Sequence, residues 1–161
     1  SYQVLPSWAI FVGYDHFLLT DNFASTLPTA AIEDRVIFQS DNHFTDKIEF
    51  LTKVTLTGSR SLTRYDYGEH YNTFDGTNVS NQKRQKAPSF FTIDVNLNYK
   101  LQKHLAFSAG ILNLFDYTQT HAGDSPLTWV EHEPGDVHLD NFHIWGPTMG
   151  RQLFAGLTWT M

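Results

Sequence analysis

Apolar and polar residues alternate along Phe91–Tyr99, Leu105–Phe115 and Leu153–Met161, near the C-terminal end of the chain. Phe91, Ile93, Val95, Leu97 and Tyr99 share one parity, while Thr92, Asp94, Asn96 and Asn98 share the other. Leu105, Phe107, Ala109 and Ile111 repeat the pattern, as do Leu153, Ala155, Leu157, Trp159 and Met161. Side chains of a strand alternate faces with period two, so each segment predicts a strand with one apolar and one polar face. Extended upstream, the same reading predicts strands at Trp8–Phe17, Glu33–Asp41, Lys47–Arg60, Ser89–Lys100, His104–Tyr117 and Gly150–Met161. Within Lys47–Arg60 the apolar parity holds Ile48, Phe50, Val54 and Leu56, and the polar parity holds Glu49, Lys53, Thr55 and Thr57. An all-β, antiparallel fold is expected. The pattern alone fits either a sandwich or a barrel whose outside is lipid.

The connections separate those options. Asn42–Asp46 and Leu101–Lys103 are short and polar. Leu18–Ile32, Ser61–Pro88 and Thr118–Met149 run from about 15 to about 30 residues, whereas compact domains rarely use structureless loops beyond ~15. Outer-membrane barrels put short turns at the periplasmic end and long loops outside the cell. Several predicted strands exceed the mode of ~5–6 residues in globular proteins and match the ~9–11 of a tilted bilayer-spanning strand. Parity then places the C-terminus on the short-turn, periplasmic side and the long loops on the extracellular side.

Composition is compatible with this. Hydrophobic residues make up 41% of the 161 positions, mean hydropathy is −0.32, and no apolar run approaches the ~18 residues of a membrane helix. Alternation dilutes hydropathy in a barrel, so the low mean does not count against one. The 13 Phe, 7 Tyr and 4 Trp suit aromatic girdles at the bilayer interfaces, or a soluble β core. Cysteine is absent, which removes disulfides, thiolate metal sites and cysteine nucleophiles. A net charge of −6 with no basic stripe argues against a nucleic-acid partner. Lys83-Arg84-Gln85-Lys86 reads as a solvated loop. No signal peptide opens the chain, so the expectation is a processed protein or a piece of a longer one.

Asn113-Leu114-Phe115-Asp116-Tyr117, following Tyr99-Lys100-Leu101 and the strand Leu105–Ile111, resembles the penultimate strand of TonB-dependent outer-membrane receptors. Gly123-Asp124-Ser125-Pro126-Leu127, His143-Ile144-Trp145-Gly146-Pro147 and Gly150-Arg151-Gln152 are similar to one branch of that family. So are Leu27-Pro28-Thr29-Ala30-Ala31-Ile32-Glu33-Asp34-Arg35 and Thr57-Gly58-Ser59-Arg60. The likeness runs from about residue 8 to 161. It implies a C-terminal segment of an antiparallel transmembrane β-barrel, about six strands of a larger barrel of about 22, in the outer membrane of a Gram-negative bacterium. The whole would be an active transporter importing an iron chelate, cobalamin, another metal complex or a saccharide. The plug and earlier strands are absent from these residues. Implied partners are therefore the remaining barrel and plug, in the same longer chain or a separate subunit, the TonB complex through that plug, outer-membrane lipid and the barrel-assembly machinery. The last reads a C-terminal strand, here Leu153, Ala155, Leu157, Trp159 and Met161. Members of the family usually end in an aromatic residue, and this chain departs from that at Met161. Six strands alone would leave two open edges, which hydrocarbon does not tolerate. The expectation is a portion of a longer receptor or one subunit of a split barrel.

Candidate ligand contacts concentrate in Thr118–Met149, which holds His121, Asp124, Trp129, His132, His138, His143 and Trp145 and lacks Lys and Arg. Imidazole and carboxylate are plausible cation ligands, but the spacing is irregular, and an acidic solvated loop is the plainer reading. Trp129 and Trp145 either stack on a ligand or pack the loop onto the rim. No cofactor or resident metal is expected. Ser125 near His121 and Asp124 has the residue types of a triad, but there is no Gly-x-Ser-x-Gly elbow and no phosphate loop, so no enzyme is expected. The alternative to the transporter is a soluble β-sandwich binding module with long recognition loops; a membrane β-barrel enzyme ranks last.

Overall fold

The period-two pattern forms an open antiparallel sheet in the computed structural model, which describes residues 2–5, 7–20, 31–62, 72–73, 86–122, 128–131, 137–140 and 144–160. In chain order the strands are β1 (Tyr2–Leu5), β2 (Trp8–His16), β3 (Asp34–Thr45), β4 (Ile48–Thr57), β5 (Arg60–Ser61) and β6 (Asn72–Thr73). They continue as β7 (Lys86–Ala87), β8 (Phe90–Gln102), β9 (Leu105–Leu112), β10 (Thr128–Glu131), β11 (Val137–Asp140) and β12 (Gln152–Trp159). Seven of them make the main sheet, in the order β1-β2-β3-β4-β8-β9-β12, while β11-β10-β6 and β5-β7 form small sheets within the long connections. Every wall strand pairs with the next one in sequence. The described residues contain no pairing of β1 with β12.

Several boundaries differ from the sequence reading. Among the described residues the wall has seven strands where the pattern predicts six, because Tyr2–Leu5 is too short for alternation to register before the turn at Ser7. β3 runs on to Thr45 instead of stopping at Asp41, so the turn shrinks from Asn42–Asp46 to Asp46-Lys47. There Thr45 Oγ1 accepts from the amides of Lys47 (3.2 Å) and Ile48 (3.1 Å), closing the turn with a side chain. β8 likewise reaches Gln102 rather than Lys100. β4 stops at Thr57 rather than Arg60, and β9 at Leu112 rather than Tyr117, where other interactions take over the backbone. β12 is Gln152–Trp159 rather than Gly150–Met161; Met161 lies outside the described residues.

Cross-strand register carries the two-faced character through the sheet. Thr52, Val95, Ile111 and Leu153 form one row, and Lys53 faces Asp94 on the other side. The apolar face is bare: Val12 is 64% exposed, Leu153 75% and Leu157 70%. Every substantial contact between elements runs between hydrogen-bonded neighbours, so no second sheet covers that face among the described residues. This overturns the sandwich alternative, in which those side chains would interdigitate with a facing sheet. On the apolar face Trp8, Ser40 and Asn42 satisfy one another, Trp8 Nε1 donating to Ser40 Oγ at 2.8 Å and Asn42 Nδ2 to the same oxygen at 2.9 Å. On the polar face Arg35 donates to Asp15 Oδ2 through Nε at 2.9 Å and Nη2 at 2.5 Å, and the two residues lie directly opposite in register. Phe154 also lies on that face, opposite Gly110, where any Cβ would meet the Phe154 ring at 2.4 Å. Among the described residues no helix is long and apolar enough to cross a membrane, which says nothing about a barrel.

If the bare face meets lipid, a charge placed at its centre is costly while the polar face tolerates one. Val95→Arg is expected to destabilise the assembled barrel by about 2–4 kcal/mol, and Asn96→Arg by much less, in urea unfolding within lipid or detergent. Equal costs at the two positions would contradict this assignment of faces.

Candidate functional site at the long-loop end

Buried side chains gather at one end of the sheet, where the long connections leave it. Leu62, Ala87 and Trp145 are the buried hydrophobic residues among those described, joined by Thr57, Arg60, Asn113, Thr118 and Gln119. The strand β9 ends there because Asn113 adopts φ 51° and Asp116 φ 58°, a left-handed conformation that Asn and Asp accept more readily than other side chains. Asn113 Oδ1 accepts from the Tyr117 amide at 3.0 Å and its Nδ2 donates to the Tyr117 carbonyl at 2.7 Å. Its own amide donates to Asp94 Oδ1 at 2.9 Å, and the Leu114 amide to the Ile93 carbonyl at 2.7 Å, docking the turn on β8. Asp116 Oδ1 then accepts from the Arg151 amide at 2.6 Å, just before β12. A Cβ at Gly150 would lie 2.2 Å from that oxygen, so a larger residue there would push the carboxylate out of this bond. The Asn-Leu-Phe-Asp motif is thus a latch between the end of β9 and the start of β12.

A second clamp closes the neck of the loop. Gln119 is fully buried, and its Oε1 accepts from the amides of Trp145 (2.9 Å) and Gly146 (3.1 Å). Its own amide donates to the Pro147 carbonyl at 2.8 Å. Arg60 Nη2 donates to the Trp145 carbonyl, tying the other long connection to the same point. Phe90 stacks on Tyr117 with centroids 5.1 Å apart and lies 6.4 Å from the Trp145 ring. Farther out, β10 pairs with β11 and also with β6, so Ser61–Pro88 and Thr118–Met149 share one small sheet.

The predicted contact residues divide accordingly. His121 is exposed, sits in the 3-10 turn Thr120–Ala122 and borders a groove of about 300 Å³ with Ser89, Phe90, Phe91, Phe115 and Tyr117. Trp129 lies on β10, in register with Leu139 and with Asn72 of the other loop, and His138 lies on β11 opposite Val130. Trp145, at 2% exposure, packs the loop onto the rim instead of facing outward. Asp124, His132 and His143 lie outside the described residues. Sequence reasoning missed Gln119, Arg60 and the aromatic groove. The one signal present was Asn and Asp just past a strand, the residues that tolerate a left-handed turn.

No sequence-family model matches the chain, and no curated protein sequence does. By structure it is similar to a mutant ferric enterobactin receptor PfeA from Pseudomonas aeruginosa in complex with enterobactin, with TM-score 0.64 and 19% identity. That match covers 97% of this chain and 20% of the receptor. It is also similar to the ferric-catecholate import receptor Fiu of E. coli K12 in its open form, with TM-score 0.54 and 15% identity over 97% of this chain and 19% of Fiu. A third likeness is to P. aeruginosa FpvA in an iron complex with a heterologous pyoverdine, with TM-score 0.55, 14% identity, and 98% and 18% coverage. These are TonB-dependent receptors. The shared architecture gives this chain the fold of an antiparallel β-barrel segment, spanning about a fifth of their length.

The latch predicts a graded response at one position. Asn113→Gly keeps access to positive φ and loses the two side-chain bonds to Tyr117, worth about 0.5–1.5 kcal/mol each. Asn113→Ala loses the same bonds and adds the left-handed strain of roughly 1–2 kcal/mol. Urea unfolding should therefore rank wild type above Gly and Gly above Ala; an Ala variant as stable as the Gly variant would show that the backbone conformation is not what the asparagine supplies.

Proposed function

We propose that this chain supplies part of the wall and of the ligand-capturing mouth of a TonB-dependent active transporter that imports a ferric chelate across the outer membrane of a Gram-negative bacterium. The observation that carries the reading is the structural likeness over 97% of the chain to PfeA, an enterobactin-bound receptor. In this reading the short turns face the periplasm and the long loops the cell exterior. The gate and the TonB contact belong to a plug outside these residues, and the chain itself performs no catalysis.

Capture would fall to the loop around His121, Asp124, Trp129, His132, His138 and His143, carried from beneath by Trp145. Asp124, Glu131, Glu133, Asp136 and Asp140 make this loop acidic with no cation of its own. Like charges repel across an interface, so a neutral or cationic chelate suits it better than an anionic one. Aromatic and imidazole side chains would then hold the ligand by stacking and hydrogen bonding. The joint sheet of β6, β10 and β11 supports a mouth built by two loops acting together.

Deleting about Ala122–Asp140 in the full receptor tests this. The cut lies inside the neck closed by Gln119 with Trp145, Gly146 and Pro147, so heat-modifiable electrophoretic mobility should show a barrel that still assembles. Titration of the detergent-solubilised protein with a neutral ferric trihydroxamate should show affinity weakened at least 10-fold, the loss of about 1.4 kcal/mol. Unchanged binding of every ferric chelate that the intact receptor takes would reduce this loop to a surface cover.

A further inference from the structure

A second concentration of chemistry sits on the polar face at the end away from the long loops. Asp41 and His43 lie two residues apart on β3, and Glu49 lies opposite His43 on β4. One side-chain ligand atom from each lies within 4.8 Å of the other two. His43 Nε2 is 3.6 Å from Asp41 Oδ1 and 3.9 Å from Glu49 Oε1, too far for direct hydrogen bonds. Donor atoms around a tetrahedral zinc ion, each about 2.0–2.1 Å from the metal, stand about 3.3 Å apart. Closing the cluster on such an ion needs shifts of only a few tenths of an ångström to about an ångström.

We propose that Asp41, His43 and Glu49 bind a divalent first-row transition-metal cation of the Zn²⁺ class, through one imidazole nitrogen and two carboxylate oxygens, leaving a coordination position open toward the polar face. Three observations support it, and none depends on the transport reading. Asp41 Oδ1 is sealed from solvent and accepts no hydrogen bond, a costly state for a carboxylate oxygen that a cation relieves. The second oxygen of Glu49 accepts from Asn98 Nδ2 at 3.0 Å, and Asn98 lies opposite Glu49 on β8. That bond turns the first oxygen toward the imidazole, the outer-shell support that metal ligands ordinarily receive. The backbone of His43 is fixed too: its amide donates to the Ser7 carbonyl at 2.7 Å, and the β3–β4 register slips just after it, between His43 and Thr45.

Charge and donor type select the occupant. Two carboxylates bring a charge of −2 to the cluster, which a divalent cation balances. A mixed nitrogen and oxygen set favours zinc, nickel or cobalt over calcium and magnesium, which prefer oxygen throughout. All three ligands stand on paired strands, so the site is preorganised and spans the hairpin between β3 and β4.

The test uses the full-length protein in detergent, stripped with chelator and titrated with Zn²⁺ by calorimetry, with assembly followed by heat-modifiable mobility. One equivalent is expected to bind. Asp41→Asn, His43→Ala and Glu49→Gln should each weaken binding at least 10-fold, and Asn98→Ala by about 10-fold through loss of orientation. Asp15→Asn, elsewhere on the same face, should bind as wild type does. Co²⁺ should give a visible ligand-field spectrum that the His43→Ala variant lacks. Should a variant fail to assemble, the wild-type protein decides: Zn²⁺ should protect His43 from diethyl pyrocarbonate, read by mass spectrometry. Absence of Zn²⁺ binding, binding indifferent to all three ligand variants, or equal modification of His43 with and without Zn²⁺ would overturn the proposal.

Discussion

Backbone hydrogen bonding within a single sheet is the constraint from which the rest of this structure follows. The apolar face of the wall has no protein against it among the described residues, so cohesion cannot come from a second layer. It comes from the ladder. Pairing runs unbroken from Arg35 to His43 along β3–β4 and from Ile48 to Thr57 along β4–β8. In hydrocarbon each unpaired amide costs several kcal/mol with no water to relieve it, which favours long strands in continuous register over the short strands of globular domains. The same constraint fits the mutual hydrogen bonding of Trp8, Ser40 and Asn42 on the apolar face. It also means that the edges β1 and β12 need partner strands wherever the sheet meets lipid.

Side-chain burial follows a different logic and is confined to the rim. There the backbone leaves the ladder, and its amides and carbonyls must find partners elsewhere. Asn113 provides them within its own turn, at Tyr117, while Asp116 and Gln119 close backbone groups on the far side of the long connection. Leu62, Ala87 and Trp145 pack around these bonds and shield them. The molecule thus has two regimes of cohesion, a wall held by its own backbone and a rim held by side chains gripping backbone.

The wall was legible in the sequence because its physics is periodic. Phe91 to Tyr99 and Leu153 to Trp159 state their faces residue by residue, and the register confirms them. Where the controlling interaction is a single side chain, the pattern misleads. Apolar residues continue past Leu112, yet Asn113 has already turned the chain; alternation carries no information about φ. β6, β10 and β11 are too short for a period to show. The Asp41, His43 and Glu49 cluster was hidden for a related reason: assigning Asn42–Asp46 to a turn separates residues that the longer hairpin sets face to face. Trp145 was recognised as important without its role being fixed, since an indole that packs and one that binds look the same in sequence. Its burial decides in favour of packing.

The latch at Asn113 and Asp116, with the Gln119 clamp above it, has a consequence for how such a molecule can vary. Joining two strands through a long connection ordinarily carries an entropic cost that grows with the logarithm of its length. Here the connection is pinched at its base by bonds among residues 113–119 and 144–151, all outside its central part. Length added or removed beyond that pinch leaves the meeting of β9 and β12 geometrically unchanged. The distal sequence can therefore change without renegotiating strand register, and the wall becomes a fixed frame on which the long connection varies independently of folding.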